Sequence, residues 1–188
     1  PAVTRMWFHI RSTNTTNYLD LSLAASVANR RFYRQGTTWA VAGMSLHTTS
    51  ATGSVTVSKV PDTWVAKNAH SKAKSLWMKS QDQVLDNDES VAGKYRDFKV
   101  HLDSNMVGAS LQANSLSPAT DGTVLLPVDR ENYPAKPGEW EYSTIQLPQL
   151  GGALAPTEIK LFMVGDDDGD NKSIIHGYAE SRSRPHRN

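Results

Sequence analysis

Apolar and polar residues alternate along much of this chain. Between Val3 and Arg11, Met6, Phe8 and Ile10 fall on one side and Arg5, Trp7, His9 and Arg11 on the other, the period of a half-buried strand. Leu19, Leu21 and Leu23 are set against Asp20 and Ser22, which predicts a second strand over Tyr18 to Leu23. Thr37 to Thr49 is rich in β-formers and small residues, and Gly53 to Val60 carries Val55 and Val57. The Thr48-Thr49-Ser50-Ala51-Thr52-Gly53 link between them reads as a hairpin loop. Further strands are expected over Tyr95 to Asp103, with Phe98, Val100 and Leu102 on one face, over Thr123 to Val128, and over Trp140 to Leu147. Two more fall at Glu158 to Val164, with Ile159, Leu161 and Met163 inward, and at Ser173 to Ala179.

Once, clearly, the period changes. After Pro61, Asp62 or Thr63 is placed to cap a helix, and Val65, Ala69, Ala73, Leu76 and Trp77 follow at spacings of three and four. That helix is expected to end near Leu85, before Asp86-Asn87-Asp88-Glu89. Turn signals such as Asp121-Gly122, Lys136-Pro137-Gly138 and Gly151-Gly152 separate the later strands. Eight or nine short strands with one helix in an early connection predict an all-β fold. The architecture expected is a two-sheet antiparallel jelly-roll sandwich. No repeat period appears, and strands do not alternate with helices, which argues against solenoids and doubly wound sheets.

Composition narrows this picture. The 188 residues suit one domain spanning 1–188, and 38% hydrophobic with 21% charged is a globular balance. There is no cysteine, which excludes disulfide scaffolds, thiol catalysis and Cys-type zinc sites. No run is long and apolar enough for a bilayer, so no membrane partner is expected. The net charge of +1 decides nothing, but its distribution is patchy. Arg30, Arg31 and Arg34 cluster with Phe32 and Tyr33, Lys67 to Lys79 holds four lysines, and Arg182, Arg184 and Arg187 crowd the C-terminus. Asp82 to Glu89 and Asp166 to Asp170 are acidic.

Catalytic signatures are missing. There is no Gly-rich phosphate loop, no His-Glu-x-x-His and no Gly-x-Ser-x-Gly, so an enzyme is not expected. The six histidines do not sit at ligand spacing on one helix face and read as core imidazoles or polar tips. Asp166, Asp168 and Asp170 are candidate ligands for a hard cation, with Ca²⁺ as the candidate cofactor; a plain Asp-Gly turn is the simpler reading of the same residues. Arg182, Arg184, Arg187, Lys67 and Lys74 are candidate phosphate contacts for a nucleic acid. Aromatics between the arginines at 30–34 offer stacking faces for bases, or else a strand edge.

Two segments carry a resemblance. Pro61-Asp62-Thr63-Trp64-Val65-Ala66-Lys67-Asn68-Ala69 runs into a helix containing Leu76-Trp77-Met78-Lys79. Met163-Val164-Gly165-Asp166-Asp167 leads to Ile174-Ile175-His176-Gly177-Tyr178-Ala179-Glu180-Ser181-Arg182. Together they resemble capsid proteins of small circular single-stranded DNA viruses, in particular bacilladnavirus-like capsids related to noda- and tombus-type shells. The resemblance implies a jelly-roll subunit, an icosahedral shell of identical subunits, location in the virion, and an enclosed single-stranded DNA genome. It also implies a basic arm ahead of Pro1 and Ca²⁺ at subunit contacts. The alternative is a β-sandwich carbohydrate-binding, lectin-like module that uses the five tryptophans; a hydrolase using Asp166 to Asp170 comes third.

Overall fold

The computed structural model describes residues 2–10, 16–36, 39–49, 54–85, 97–112, 122–136, 138, 140–147 and 157–183. Its elements in chain order are β1 (Asn17–Tyr18), α1 (Leu21–Asn29), α2 (Trp64–Leu85), α3 (Ser104–Gly108), β2 (Ser110–Leu111), β3 (Thr123–Val124), β4 (Thr144–Leu147), β5 (Thr157–Phe162), β6 (Lys172–Ser173) and α4 (Ile174–Ser183).

This overturns the all-β jelly-roll expectation. The strands form two three-stranded sheets, ordered β1-β3-β2 and β4-β5-β6. The first is parallel throughout; in the second, β4 runs antiparallel and β6 parallel to β5. Helices cover both. The strand expected over Tyr18 to Leu23 becomes α1 because Asp20 caps it. The Asp20 carboxylate accepts the Ser22 and Leu23 backbone N–H groups at 3.0 and 3.2 Å, and the following Ala24 and Ala25 favour the helix. The helix stops at Arg30, which adopts the left-handed conformation at φ 50°, with the Arg30 and Arg31 N–H groups closing onto the Val27 and Ser26 carbonyls.

The strand expected over Ser173 to Ala179 fails similarly. Asp167 accepts the Ser173 N–H at 2.9 Å, and the Ser173 hydroxyl accepts the His176 N–H at 3.4 Å, which turns the chain into α4. At Asp103 the carboxylate accepts the Met106 N–H at 2.8 Å and starts α3. In each case a period-two run of residues contained a side chain able to satisfy the free N–H groups of a first helical turn.

Other expectations hold in part. The helix expected from Asp62 to about Leu85 is α2, and Thr63 is its cap, its hydroxyl accepting the Ala66 N–H at 3.3 Å. Ala69 and Trp77 face inward as the spacing required, whereas Leu76 points to solvent. β4 lies inside, and β5 overlaps from one residue earlier, the runs read as strands, paired from Thr144↔Lys160 to Leu147↔Thr157. The stretches 39–49 and 54–60 are irregular rather than a paired hairpin. Among the described residues, no backbone–backbone hydrogen bond reaches 40–47 or 54–60.

Two apolar cores result. Tyr18, Leu23, Met106, Val124, Leu126 and Trp140 pack together where α1 and α3 meet the first sheet. Ala69, Trp77, Phe98, Val100, Leu161 and Ile174 form the second, between α2, α4 and the second sheet. The segment 97–103 joins them. It is buried on both faces, since Lys99 and His101 are as enclosed as Phe98 and Val100.

Candidate nucleic-acid interface

The packing of α4 against α2 gathers a group of cations and aromatics around Arg182, one of the predicted phosphate contacts. Ile174, Ile175 and Tyr178 face the second core, which lays the exposed side of α4 beside the first turns of α2. Arg182 sits with its guanidinium 5.2 Å from the Trp64 ring centroid and 5.8 Å from that of Tyr178. Its Nη1 also donates to the Tyr178 hydroxyl at 3.2 Å. From α2, the Lys72 ammonium lies 5.8 Å from the Tyr178 ring and donates to the Ser181 hydroxyl at 2.7 Å. The hydrogen bond from Arg182 is the main cause that lowers the Tyr178 phenol from its ordinary range.

Among the described residues, neither Lys72 nor Arg182 has a carboxylate partner. Two cations held over two aromatic faces, one of them the largely exposed Trp64, form a surface able to contact phosphate and stack on an unpaired base.

The other predicted contacts fall elsewhere. Lys67 is paired with Asp62 at 3.0 Å, both exposed. Lys74 stands beside His70, whose imidazole is lowered first by burial and then by that ammonium. Arg184 and Arg187 lie outside the described residues. Spacing along α2 suggested Lys67 and Lys74; the docking of α4 selects Lys72 instead. Trp64 and Tyr178 were missed as partners of Arg182 because Tyr178 was assigned to a strand.

The acidic loop is a turn with one structural carboxylate. Asp168 and Asn171 exchange backbone hydrogen bonds, Asn171 N–H to Asp168 O at 2.8 Å and Asp168 N–H to Asn171 O at 3.2 Å. Burial pushes the Asp167 carboxyl up, but the Ser173 N–H and the Lys172 ammonium together outweigh it and hold the group below its usual range. Asp166, Asp168 and Asp170 are exposed. Among the described residues, no three His, Asp or Glu side chains are grouped to hold a metal ion.

The buried polar centre lies between the cores. The His101 ring stacks on Tyr142 at 4.1 Å, and its Nδ1 lies 3.2 Å from the Leu161 carbonyl. Burial, more than any neighbour, lowers the His101 imidazole, so it is neutral. The Tyr142 hydroxyl donates to Asp20 at 3.3 Å, and Gln35 donates to the same carboxylate oxygen at 2.8 Å. His101 Nδ1, the Tyr142 hydroxyl, the Gln35 amide and the Asp20 carboxylate are each held by another protein group, as suits a structural network.

No protein-family model, curated protein or solved structure matches this chain. Among the described residues, no helix is long and apolar enough to cross a membrane.

Proposed function

We propose that this chain is a structural protein that assembles with copies of itself around a single-stranded DNA genome, as the shell subunit of a virion. One observation carries the reading: the arm formed by the described stretches 39–49 and 54–60 exposes Val41, Met44, Leu46, Val55 and Val57, each more than half accessible. Lys59 is the arm's one Lys, Arg, Asp or Glu. An isolated exposed apolar residue needs no explanation, but a run of this kind marks a contact surface. Trp7, also exposed, extends it through a ring contact with His47 at 5.9 Å.

The occupant proposed is a second copy of the chain. A fully exposed aliphatic offers roughly 60–120 Å² of apolar surface, from the usual 1.5–3 kcal/mol per side chain at about 25 cal/mol/Å², so each of these partly covered ones offers roughly 35–80 Å². Trp7 offers roughly 100 Å² more. The total, on the order of 280–500 Å², is about half of the ~800 Å² per partner of a stable protein–protein interface. Among the described residues, the lack of backbone–backbone hydrogen bonds at 40–47 and 54–60 adds the means for strand pairing with another subunit. The resemblance of the 61–79 and 163–182 segments to viral capsid proteins supports the same reading. The jelly-roll geometry of such shells is not part of it.

A lectin-like use of tryptophan needs several exposed on one platform. Trp77 and Trp140 are buried, and the exposed Trp7, Trp39 and Trp64 have different neighbours, His47, Tyr33 and Arg182. The test is particle size by light scattering and negative-stain electron microscopy, with and without single-stranded DNA. Closed multi-copy particles, lost in a Leu46→Lys/Val57→Lys variant that keeps its fold, are expected. Protein that stays monomeric at high concentration across pH, Ca²⁺ and added DNA defeats the proposal.

A further inference from the structure

A second cationic site lies at the opposite end of the sequence. At the C-terminal end of α1, an open pocket of about 310 Å³ is lined by seven residues, among them Val27, Arg30, Arg31, Phe32 and Lys136. Three of the seven carry positive charge. Among the described residues, Arg30, Arg31 and Lys136 have no carboxylate partner. The end of a helix ordinarily repels anions, because its last carbonyls are free. Here the Ser26 and Val27 carbonyls already accept the Arg31 and Arg30 N–H groups, at 3.1 and 3.4 Å. The helix end is worth about half a negative charge, which the three side-chain cations outweigh.

Phe32 supplies the apolar wall. It is 44% exposed, yet its ring is fixed from behind. The Trp140 centroid lies 5.8 Å away, tilted by 42°, and the buried Lys99 ammonium sits 5.4 Å from the Phe32 centroid and 5.2 Å from that of Trp140. A held, partly exposed aromatic ring, rimmed by cations that have no carboxylate partner among the described residues, matches a nucleotide of an unpaired strand: base on the ring, phosphates on the cations. A duplex hides its base faces and does not fit this arrangement. The volume is at the small end of the roughly 300–1,000 Å³ of ligand pockets, enough for one nucleotide, and the open mouth lets a strand continue on both sides.

We propose that Arg30, Arg31, Phe32 and Lys136 form a single-stranded nucleic-acid site, stacking one base on Phe32 and neutralising flanking phosphates. The site is separate from the α2–α4 surface and goes beyond the assembly reading.

Fluorescence anisotropy with a labelled oligothymidylate of about twelve nucleotides, within the usual site size of such proteins, tests it over a salt series. The full chain is used, both unmodified and in the Leu46→Lys/Val57→Lys background, so that binding is read without assembly. Arg31→Gln and Lys136→Gln should each reduce the slope of log K against log salt by about 0.7. Phe32→Leu should weaken binding by about 5- to 150-fold, and Phe32→Tyr should restore it. The folding of each variant is checked by circular dichroism. The proposal is overturned if the Arg31→Gln/Lys136→Gln pair leaves the slope unchanged, or if Arg182→Gln alone removes all binding. It is also overturned if Phe32→Leu binds like the unmodified chain while heparin or phosphatidylserine vesicles bind equally tightly; the arginines then attract any polyanion. Binding that survives in a chain that never assembles leaves this proposal standing and defeats only the other.

Discussion

Asp20 is a junction on which several parts of the fold depend, and its replacement by alanine should be costly. One carboxylate oxygen caps α1 through the Ser22 and Leu23 N–H groups, while the other accepts from Gln35 at 2.8 Å and from Tyr142 at 3.3 Å. Losing the cap costs about 1 kcal/mol. The two side-chain hydrogen bonds contribute roughly 0.5–1.5 kcal/mol each, and more if Gln35 or Tyr142 is left dry and unpaired. Burial first, then the nearby Asp20 charge, pushes the Tyr142 phenol far above its usual range, so it stays a donor at any ordinary pH. The sum is about 2–4 kcal/mol, a fall in Tm of roughly 5–15 °C for a chain of this size. Urea and thermal unfolding followed by circular dichroism measure it. Asp20→Asn keeps the cap through its one amide oxygen but turns an NH2 toward the Gln35 N–H, so it should lose about 1–2 kcal/mol, less than Asp20→Ala. In a double-mutant cycle, Asp20→Ala and Tyr142→Phe should be less than additive, with a coupling of about 0.5–1.5 kcal/mol. An Asp20→Ala loss below about 0.5 kcal/mol, additive with Tyr142→Phe, would refute the junction.

Other outcomes follow from the same structure. Phe162 is fully buried, and Phe162→Ala should cost about 3–5 kcal/mol in denaturant unfolding. Gly122 has φ +104°, and a Cβ there would lie 2.5 Å from the Thr16 carbonyl oxygen, so Gly122→Ala should destabilise by at least about 1–3 kcal/mol, read as a lower urea midpoint. Burial lowers His70 and His101 below their unfolded value of 6.5, so the unfolded chain takes up protons first. The stability from these neutral rings is complete above that value and is lost as pH falls through it; His70→Gln/His101→Gln should flatten the unfolding midpoint between neutral and mildly acid pH. Asp167→Ala should lower Tm by removing the Ser173 contact that begins α4, while Asp166→Asn, Asp168→Asn and Asp170→Asn together should leave Tm and its response to Ca²⁺ unchanged if the loop is only a turn.

What the sequence determined by itself was whatever depends on neighbours in the chain. α2 was legible because Val65, Ala69, Ala73 and Trp77 recur at helical spacing over many turns behind a Thr63 cap. β4 and β5 were legible because their alternation is not interrupted by a capping side chain. The Asp-Gly turn at 168–169 needed only local backbone preference. The alternation around Asp20 and Ser173 misled, because the same residues that fit a strand face also satisfy the first N–H groups of a helix. Whether they do so is settled by what the helix then buries, Leu23 in one core and Ile174 in the other. The sites were less legible still. Lys67 and Lys72 are equivalent by charge, and only the docking of α4 sets Lys72 beside Tyr178 and leaves Lys67 to Asp62. Arg30, Arg31 and Phe32 were visible as a cluster, but Lys136 joins them, and Trp140 and Lys99 fix the ring, through contacts between residues far apart in the chain. Tertiary packing alone makes such pairs, because local pattern carries no record of which distant surface an element will meet.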